Sequence, residues 1–356
     1  MRWSGRDDSP VRQVITVSAR SASARSPGGS GLFSFVLAVL CLATVWAVST
    51  GTPADAQTKQ PVRIGAVTEG FGPTVAMVGL RAGLLELGYK EGNDFVIGVR
   101  FTRGNLSELA AATRGFVDQK VDLLVAEGGP ALGVAMATTS KIPIVFVGGG
   151  DPVGRGLVKS LSRPGGNATG VTTLDLELAP KRLEMLREIV PAIRKALFVY
   201  DVADAYSVLE LKGYREAAHR LGLVLMERPV RTREEAQATF GALRRRDVDG
   251  LLGPWAMSLN IPGYVLETAA RLGLPSMFPD TWYVDHGALG SYSADLYSSG
   301  RQAARLVDKI LRGASPADIP IEIDNHIYFA LNLKTARAIN VDIPRSLLLQ
   351  ATRVIQ

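Results

Sequence analysis

Short apolar runs alternate with amphipathic stretches along most of this chain. "VRIGAV" (62–67) reads as a buried strand, and "VAMVGLRAGLLELGY" behind it repeats apolar residues at helical spacing up to a stop at Gly88. "DFVIGVRF", "LSELAAATRGFVDQ", "VDLLVAE" (121–127), "PALGVAMATTS" and "IPIVFV" continue the alternation, with Pro130 at a helix start. A second set follows "KRLEMLREIVP": strands at "KALFVYD" (195–201), "LVLMERPV", "VDGLLGP" (248–254) and "LPSMFP", separated by helices at "YSVLELKGYREAAHRLG", "EEAQATFGALRRR" and "YVLETAARLG". Each set runs β-α-β-α-β, which predicts two α/β lobes with parallel sheets covered on both faces. The pattern then continues through "HGALGSYSADL", the amphipathic "SSGRQAARLVDKILRG", the turn-rich "ASPADIP" and two closing segments. Elements beyond two complete lobes predict that the chain crosses back between them.

The first 56 residues break this pattern. Arg2, Arg6, Arg12, Arg20 and Arg25 precede the uncharged "GLFSFVLAVLCLATVWAV", and Ala54 and Ala56 occupy the small positions of an A-x-A site. That order predicts a secretory signal peptide (1–56) cleaved after Ala56 and a periplasmic mature chain beginning at Gln57. Cys41 lies inside the apolar run behind Leu40, which does not suit lipidation, so the mature chain has no thiol and no disulfide. Its 35 basic and 31 acidic residues are dispersed and leave no footprint for nucleic acid.

Familiar catalytic spacings are missing. No G-x-x-x-x-G-K-[ST] and no G-x-S-x-G occurs, and the glycine-rich "GGGDPVGRG" does not supply G-x-G-x-x-G. These glycines read as backbone freedom where a strand ends. The three histidines have no firm metal spacing, and no cofactor or metal is expected.

Ligands of open α/β sheets sit beyond the carboxyl ends of the strands, and two facing lobes make a cleft there. The candidates are therefore Thr68, Glu69 and Phe71 after the first strand, Gly129, Pro130 and Ala131 after the third, and Gly149 and Asp151 after the fourth. In the second lobe they are Asp201, Asp204 and Tyr206 in "YDVADAY", Trp255 behind Pro254, and Asp280 and Tyr283 in "FPDTWY". Free N–H groups at the Gly129–Ala131 helix start suit a carboxylate. Asp201 or Asp204 suits an ammonium, with a helix N-cap as the competing role for Asp204. The aromatics suit an apolar or cationic group, or else ordinary packing. Trp255 and Trp282 are both expected to border the cleft.

Several stretches resemble the substrate-binding proteins of ABC importers with the type 1 periplasmic-binding fold, in the tryptophan/tyrosine-type branch. They include "GLRAGLLELGYKEGNDFVIGVRF", "VDLLVAEGGPAL", "DPVGRGLVKSLSRPGGNATG" and "GALGSYSADLYSSGRQAARLVDKILRGASPADIPIE". The family often has G-T-P-A where this chain has "GGPA", which removes a hydroxyl at Gly129. The resemblance implies an exported receptor that closes on a small organic solute and docks on a membrane permease. The expected division is lobe 1 at 57–172 and 290–319, lobe 2 at 173–289 and 320–356, with hinges near Gly170–Thr173, Gly290–Tyr292 and Pro320–Ile323. Rival classes are a sensory receptor with the same binding chemistry, a hydrolase using Asp280, Asp285 and His286, and a transcription-regulator core.

Overall fold

The computed structural model describes residues 60–356 apart from Phe71, Leu174 and Ala256. The expected leader, its cleavage point at Ala56 and the candidate Phe71 lie outside the described residues. Lobe 1 begins with β1 (Val62–Thr68), α1 (Val75–Glu86), β2 (Phe95–Phe101), α2 (Leu106–Asp118), β3 (Leu123–Glu127), α3 (Gly129–Thr138), β4 (Ile144–Val147) and β5 (Ala168–Thr173). The chain then enters lobe 2 with α4 (Asp175–Ile189), β6 (Lys195–Asp201), α5 (Ala205–Leu221), β7 (Val224–Val230) and α6 (Arg233–Ala242). β8 (Gly250–Leu252), α7 (Ile261–Leu272), β9 (Ser276–Phe278), α8 (Trp282–Asp285) and β10 (Gly290–Ala294) complete that passage. α9 (Leu296–Leu311) and β11 (Glu322–Asp324) return to lobe 1. β12 (Ile327–Asn332), α10 (Leu333–Ala338), α11 (Arg345–Gln350) and β13 (Arg353–Ile355) finish in lobe 2.

The lobe 1 sheet has the order β11-β5-β4-β3-β1-β2, and every pair in it is parallel. The lobe 2 sheet has the order β13-β12-β10-β9-β8-β6-β7, with a single antiparallel pair, β10 and β12. Apolar clusters cover both faces of each sheet, which is why the central strands read as continuous apolar runs. In both sheets the order reverses beside the first strand, between β1 and β3 and between β6 and β8. A doubly wound sheet opens a crevice at that reversal, so both lobes place their crevice at the ends of these strands.

Three crossovers join the lobes, at 173–175, 294–296 and 324–327. The second and third run side by side, since the Asp295 N–H donates to the His326 carbonyl at 2.8 Å. The expected boundaries need correction at both later crossings. Residues 290–294, assigned above to lobe 1, are β10 in the lobe 2 sheet, and residues 322–324, assigned to lobe 2, are β11 in the lobe 1 sheet. Gly170–Thr173 and Gly290–Tyr292 are therefore strand rather than hinge, lying in β5 and β10, and the segment at Pro320–Ile323 runs into β11 before the crossing. Asp295 instead caps α9, its Oδ1 accepting from the Tyr297 and Ser298 N–H groups.

The return of α9 depends on close helix contact. A Cβ added at Gly79 would sit 2.1 Å from the Tyr297 carbonyl oxygen, and one at Gly300 would sit 2.1 Å from the Ala76 carbonyl oxygen. Only glycine allows α1 and α9 to approach so closely.

Candidate functional site

Strand ends from both lobes converge on two adjoining compartments. The larger, about 320 Å³, is walled by Glu69, Gly129, Pro130, Gly149 and Asp151 from lobe 1 and by Asp201, Asp204, Tyr206 and Trp255 from lobe 2. The smaller, about 100 Å³, is walled by Thr68, Glu69, Glu127, Trp255, Asp280 and Tyr283. Glu69 and Trp255 border both. Ala131 does not reach either: it is 0% exposed within the lobe 1 core, because the turn of α3 points it back at the sheet. Trp282 is likewise away from both compartments. It is 41% exposed and stacks on His286 with ring centres 3.7 Å apart.

The lobe 1 wall is built on glycine. Gly128 caps α3 at φ 93°, and Gly148, Gly149 and Gly150 all have positive φ, a backbone that side chains with a Cβ rarely adopt. The turn carries Arg155 over the start of α3. Its Nη1 approaches the Gly149 carbonyl at 3.4 Å and would sit 2.1 Å from a Cβ at position 129. Gly129 thus gives up a hydroxyl and makes room for a guanidinium beside the helix N-terminus. Two features complementary to an anion then stand together.

Lobe 2 supplies carboxylates and aromatics. Asp204 does cap α5, its Oδ2 accepting from Ser207 N–H at 2.6 Å, and it also lines the larger compartment. Asp201 Oδ1 accepts from Ala203 N–H at 2.8 Å, and Asp280 Oδ1 accepts from Trp282 N–H at 2.7 Å. The Tyr206 and Trp255 rings lie 6.2 Å apart, and Tyr283 stacks on Phe278 at 4.4 Å with its hydroxyl donating to Met257 Sδ.

Two lobe 1 carboxylates carry shifted acidity. Burial, followed by repulsion from Asp204, pushes Glu69 up to about 7, against the pull of Arg155. Burial likewise pushes Glu127 up to about 7, with Asp280 adding to the shift and hydrogen bonds from Thr74 and Thr68 opposing it. Thr74 Oγ1 donates to Glu127 Oε2 at 2.7 Å. Asp280 itself is raised by burial, with Asp175 and Asp285 adding to it. Glu127, Thr74 and Arg155 were not foreseen from the sequence. Glu127 ends a predicted strand and its position was a usable signal; Arg155 lies six residues beyond the Gly149 turn and gave none.

Behind the cleft lies a buried ion cluster. Arg182 donates to Glu210 Oε1 (2.8 Å), to the Tyr292 carbonyl (2.9 Å) and to the Asp175 carbonyl (3.2 Å), while Glu210 Oε2 accepts the Trp255 N–H (2.9 Å). The Trp255 loop is therefore bonded, through two side chains, to the first crossover and to β10.

The hydrolase constellation does not assemble. Asp285 pairs with Arg353 at 2.7 Å, His286 Nδ1 bonds the Trp282 carbonyl, and Asp280 faces the cleft. Among the described residues no group of three His, Cys, Asp or Glu is arranged to hold a metal ion, and no helix is long and apolar enough to cross a membrane.

Residues 62–355 match the family model described as ABC transporter substrate binding protein. A tyrosine-binding protein of Clostridioides difficile is 26% identical over 81% of this chain and 83% of its own length. The crystal structure of an ABC domain from Streptococcus pneumoniae in complex with L-Trp superposes with a TM-score of 0.74 at 26% identity, over 83% of this chain and 100% of that one. A conserved domain protein from Vibrio cholerae O1 biovar El Tor gives the same TM-score, identity and shares of each chain.

Proposed function

The chain belongs to the family of ABC transporter substrate-binding proteins, and from that premise we propose that it captures a small amino-acid-like solute between its lobes and hands it to a membrane permease. The observation that carries this reading is the convergence of strand ends from both lobes on one cleft, with Arg155 and the α3 N-terminus at one end and carboxylates and aromatics opposite. The solute carboxylate sits at the first group and its ammonium near Glu69 and Asp204. Tyr206 and Trp255 pack its body. The relatives named for tyrosine and solved with L-Trp favour an amino acid. The lobes close by bending at the three crossovers, and the solute is released unchanged.

Export belongs to the same reading. The basic, apolar and A-x-A order of residues 1–56 predicts that protein from a periplasmic extract has an intact mass beginning at Gln57. Full-length protein retained in the cytoplasm would count against a role in uptake.

Binding is tested by a thermal screen of amino acids and related carboxylates. A solute at about 100 times its Kd adds roughly 2.7 kcal/mol to the native state, so at least one should raise the Tm by several degrees and be recovered intact. Conversion of the hit would favour an enzyme. Trp255 is the expected reporter of closure, because it alone of the two tryptophans after the leader borders the cleft. Trp255→Phe should abolish most of the ligand-induced emission change and weaken binding, whereas Trp282→Phe should keep it. An unchanged signal and affinity in Trp255→Phe would move the site elsewhere.

A further inference from the structure

The cleft is lined by far more carboxyl groups than basic ones. Glu69 and Glu127 from lobe 1 face Asp201, Asp204 and Asp280 from lobe 2, and among the described lining residues the only cation is Arg155. Glu69 shares the larger compartment with Asp204, and Glu127 shares the smaller with Asp280, each pair near enough for the second carboxylate to add to the raised acidity of the first. Closing the lobes removes water from both pairs, and a buried charge without a partner is costly. A neutral zwitterion supplies one positive and one negative group, so it leaves the surplus in place.

A second observation points the same way. Asp175, at the first crossover, is 1% exposed, lines the larger compartment, and its Oδ1 has no hydrogen bond. Its Oδ2 accepts from the Thr173 hydroxyl and Arg182 Nη2 pairs with the carboxylate at 4.0 Å, so only Oδ1 keeps hydrogen-bonding capacity. The Tyr206 hydroxyl and Ser258 Oγ of the same compartment are also buried without a partner. This compartment therefore holds buried polar atoms with unused hydrogen-bonding capacity, which an ammonium can use.

We propose that the solute is a basic amino acid, with its carboxylate at Arg155 and the α3 N-terminus, its α-ammonium among Glu69, Asp204 and Asp175, and its side-chain cation in the smaller compartment between Glu127 and Asp280. This rests on the solute-receptor reading above. Trp255 borders both compartments, so the aliphatic stem runs along its ring. Tyr283 lines the smaller compartment and adds an aromatic wall for the cation.

The test is isothermal titration of the mature protein with L-lysine, L-arginine, L-norleucine, 1,5-diaminopentane and L-tryptophan. L-lysine or L-arginine should bind at least about tenfold more tightly than L-norleucine, which has the lysine chain length without the side-chain nitrogen. 1,5-Diaminopentane should bind more weakly than L-lysine because it lacks the carboxylate. Glu127→Gln and Asp280→Asn, made separately so that a folding defect in one leaves the other informative, should each weaken the basic amino acid about tenfold and weaken L-norleucine less. L-tryptophan or L-norleucine binding as tightly as the basic amino acids would overturn the charge assignment and leave the receptor reading standing. Tighter binding of 1,5-diaminopentane would overturn the carboxylate placement. Failure of every amino acid to bind would overturn both readings.

Discussion

Arg182→Met should destabilise the protein by about 3–5 kcal/mol and lower its Tm by roughly 10 °C, the largest effect expected of any single substitution here. Arg182 is 0% exposed and is bonded to Glu210 and to the backbone of Asp175 and Tyr292. Without the guanidinium, Glu210 loses its ionic partner and two backbone carbonyls lose their donor. Methionine keeps much of the volume, so packing loss is a minor part of the change. Burial already raises Glu210 to about 7 in spite of Arg182, so the variant's Glu210 should take up a proton near neutral pH. The double variant Arg182→Met, Glu210→Gln removes both charges of the pair and should recover part of the loss. Thermal melting of the three proteins by circular dichroism decides the matter. A loss below about 1 kcal/mol in Arg182→Met would mean that the cluster does not hold the α4–β10 junction together.

The ligand-free protein should melt at a higher temperature near about pH 5.5 than near about pH 8. Glu69 and Glu127 both have folded-state values near 7 against an ordinary 4.5. A carboxyl raised in the folded state binds more protons folded than unfolded, so stability falls as pH rises between the two values. Below about 4.5 both states are protonated and the penalty is absent; above about 7 it is complete. Each shift corresponds to at most about 3 kcal/mol, and less in effect because both residues are only half-buried. His326 has the same sign: its hydrogen bond to Asp324 raises it, so its contribution is present below its ordinary 6.5 and lost as pH climbs through the raised value. Glu227 and Asp324 are lowered instead, so what they contribute is lost only on further acidification, below this window. Glu210, also held near 7 by burial, adds with the same sign, so Glu127→Gln should reduce the slope without removing it, which makes it the control. A Tm independent of pH across this range would contradict the burial of both cleft carboxylates.

The periodicity of the chain determined much of this by itself. Apolar runs such as "IPIVFV" and "VDLLVAE" are central parallel strands covered on both faces. Once those strands are assigned, the doubly wound order puts their carboxyl ends at a crevice, so Thr68, Glu69, Asp201, Trp255 and Asp280 were legible as cleft residues from position alone. Facing direction was not. Ala131 and Pro130 are neighbours at the same helix start, yet one enters the core and the other the cleft, a choice made by how α3 lies on its sheet. The lobe boundaries were also out of reach at five-residue precision. "GSYSA" alternates equally well for either sheet, and only its pairing with β9 and β12 assigns it to lobe 2.

Tertiary structure alone decided the partners. Thr74 meets Glu127 across 53 residues, Arg182 meets Glu210 across 28 and the Tyr292 carbonyl across 110, and Arg155 comes to rest where a β-carbon at 129 would stand. Local pattern encodes which face of an element is apolar, because that depends on neighbours three or four residues away. Which carboxylate faces which, and how far its acidity moves, depends on groups brought together only when the two lobes are folded, since both burial and Coulomb interaction act through space rather than along the chain.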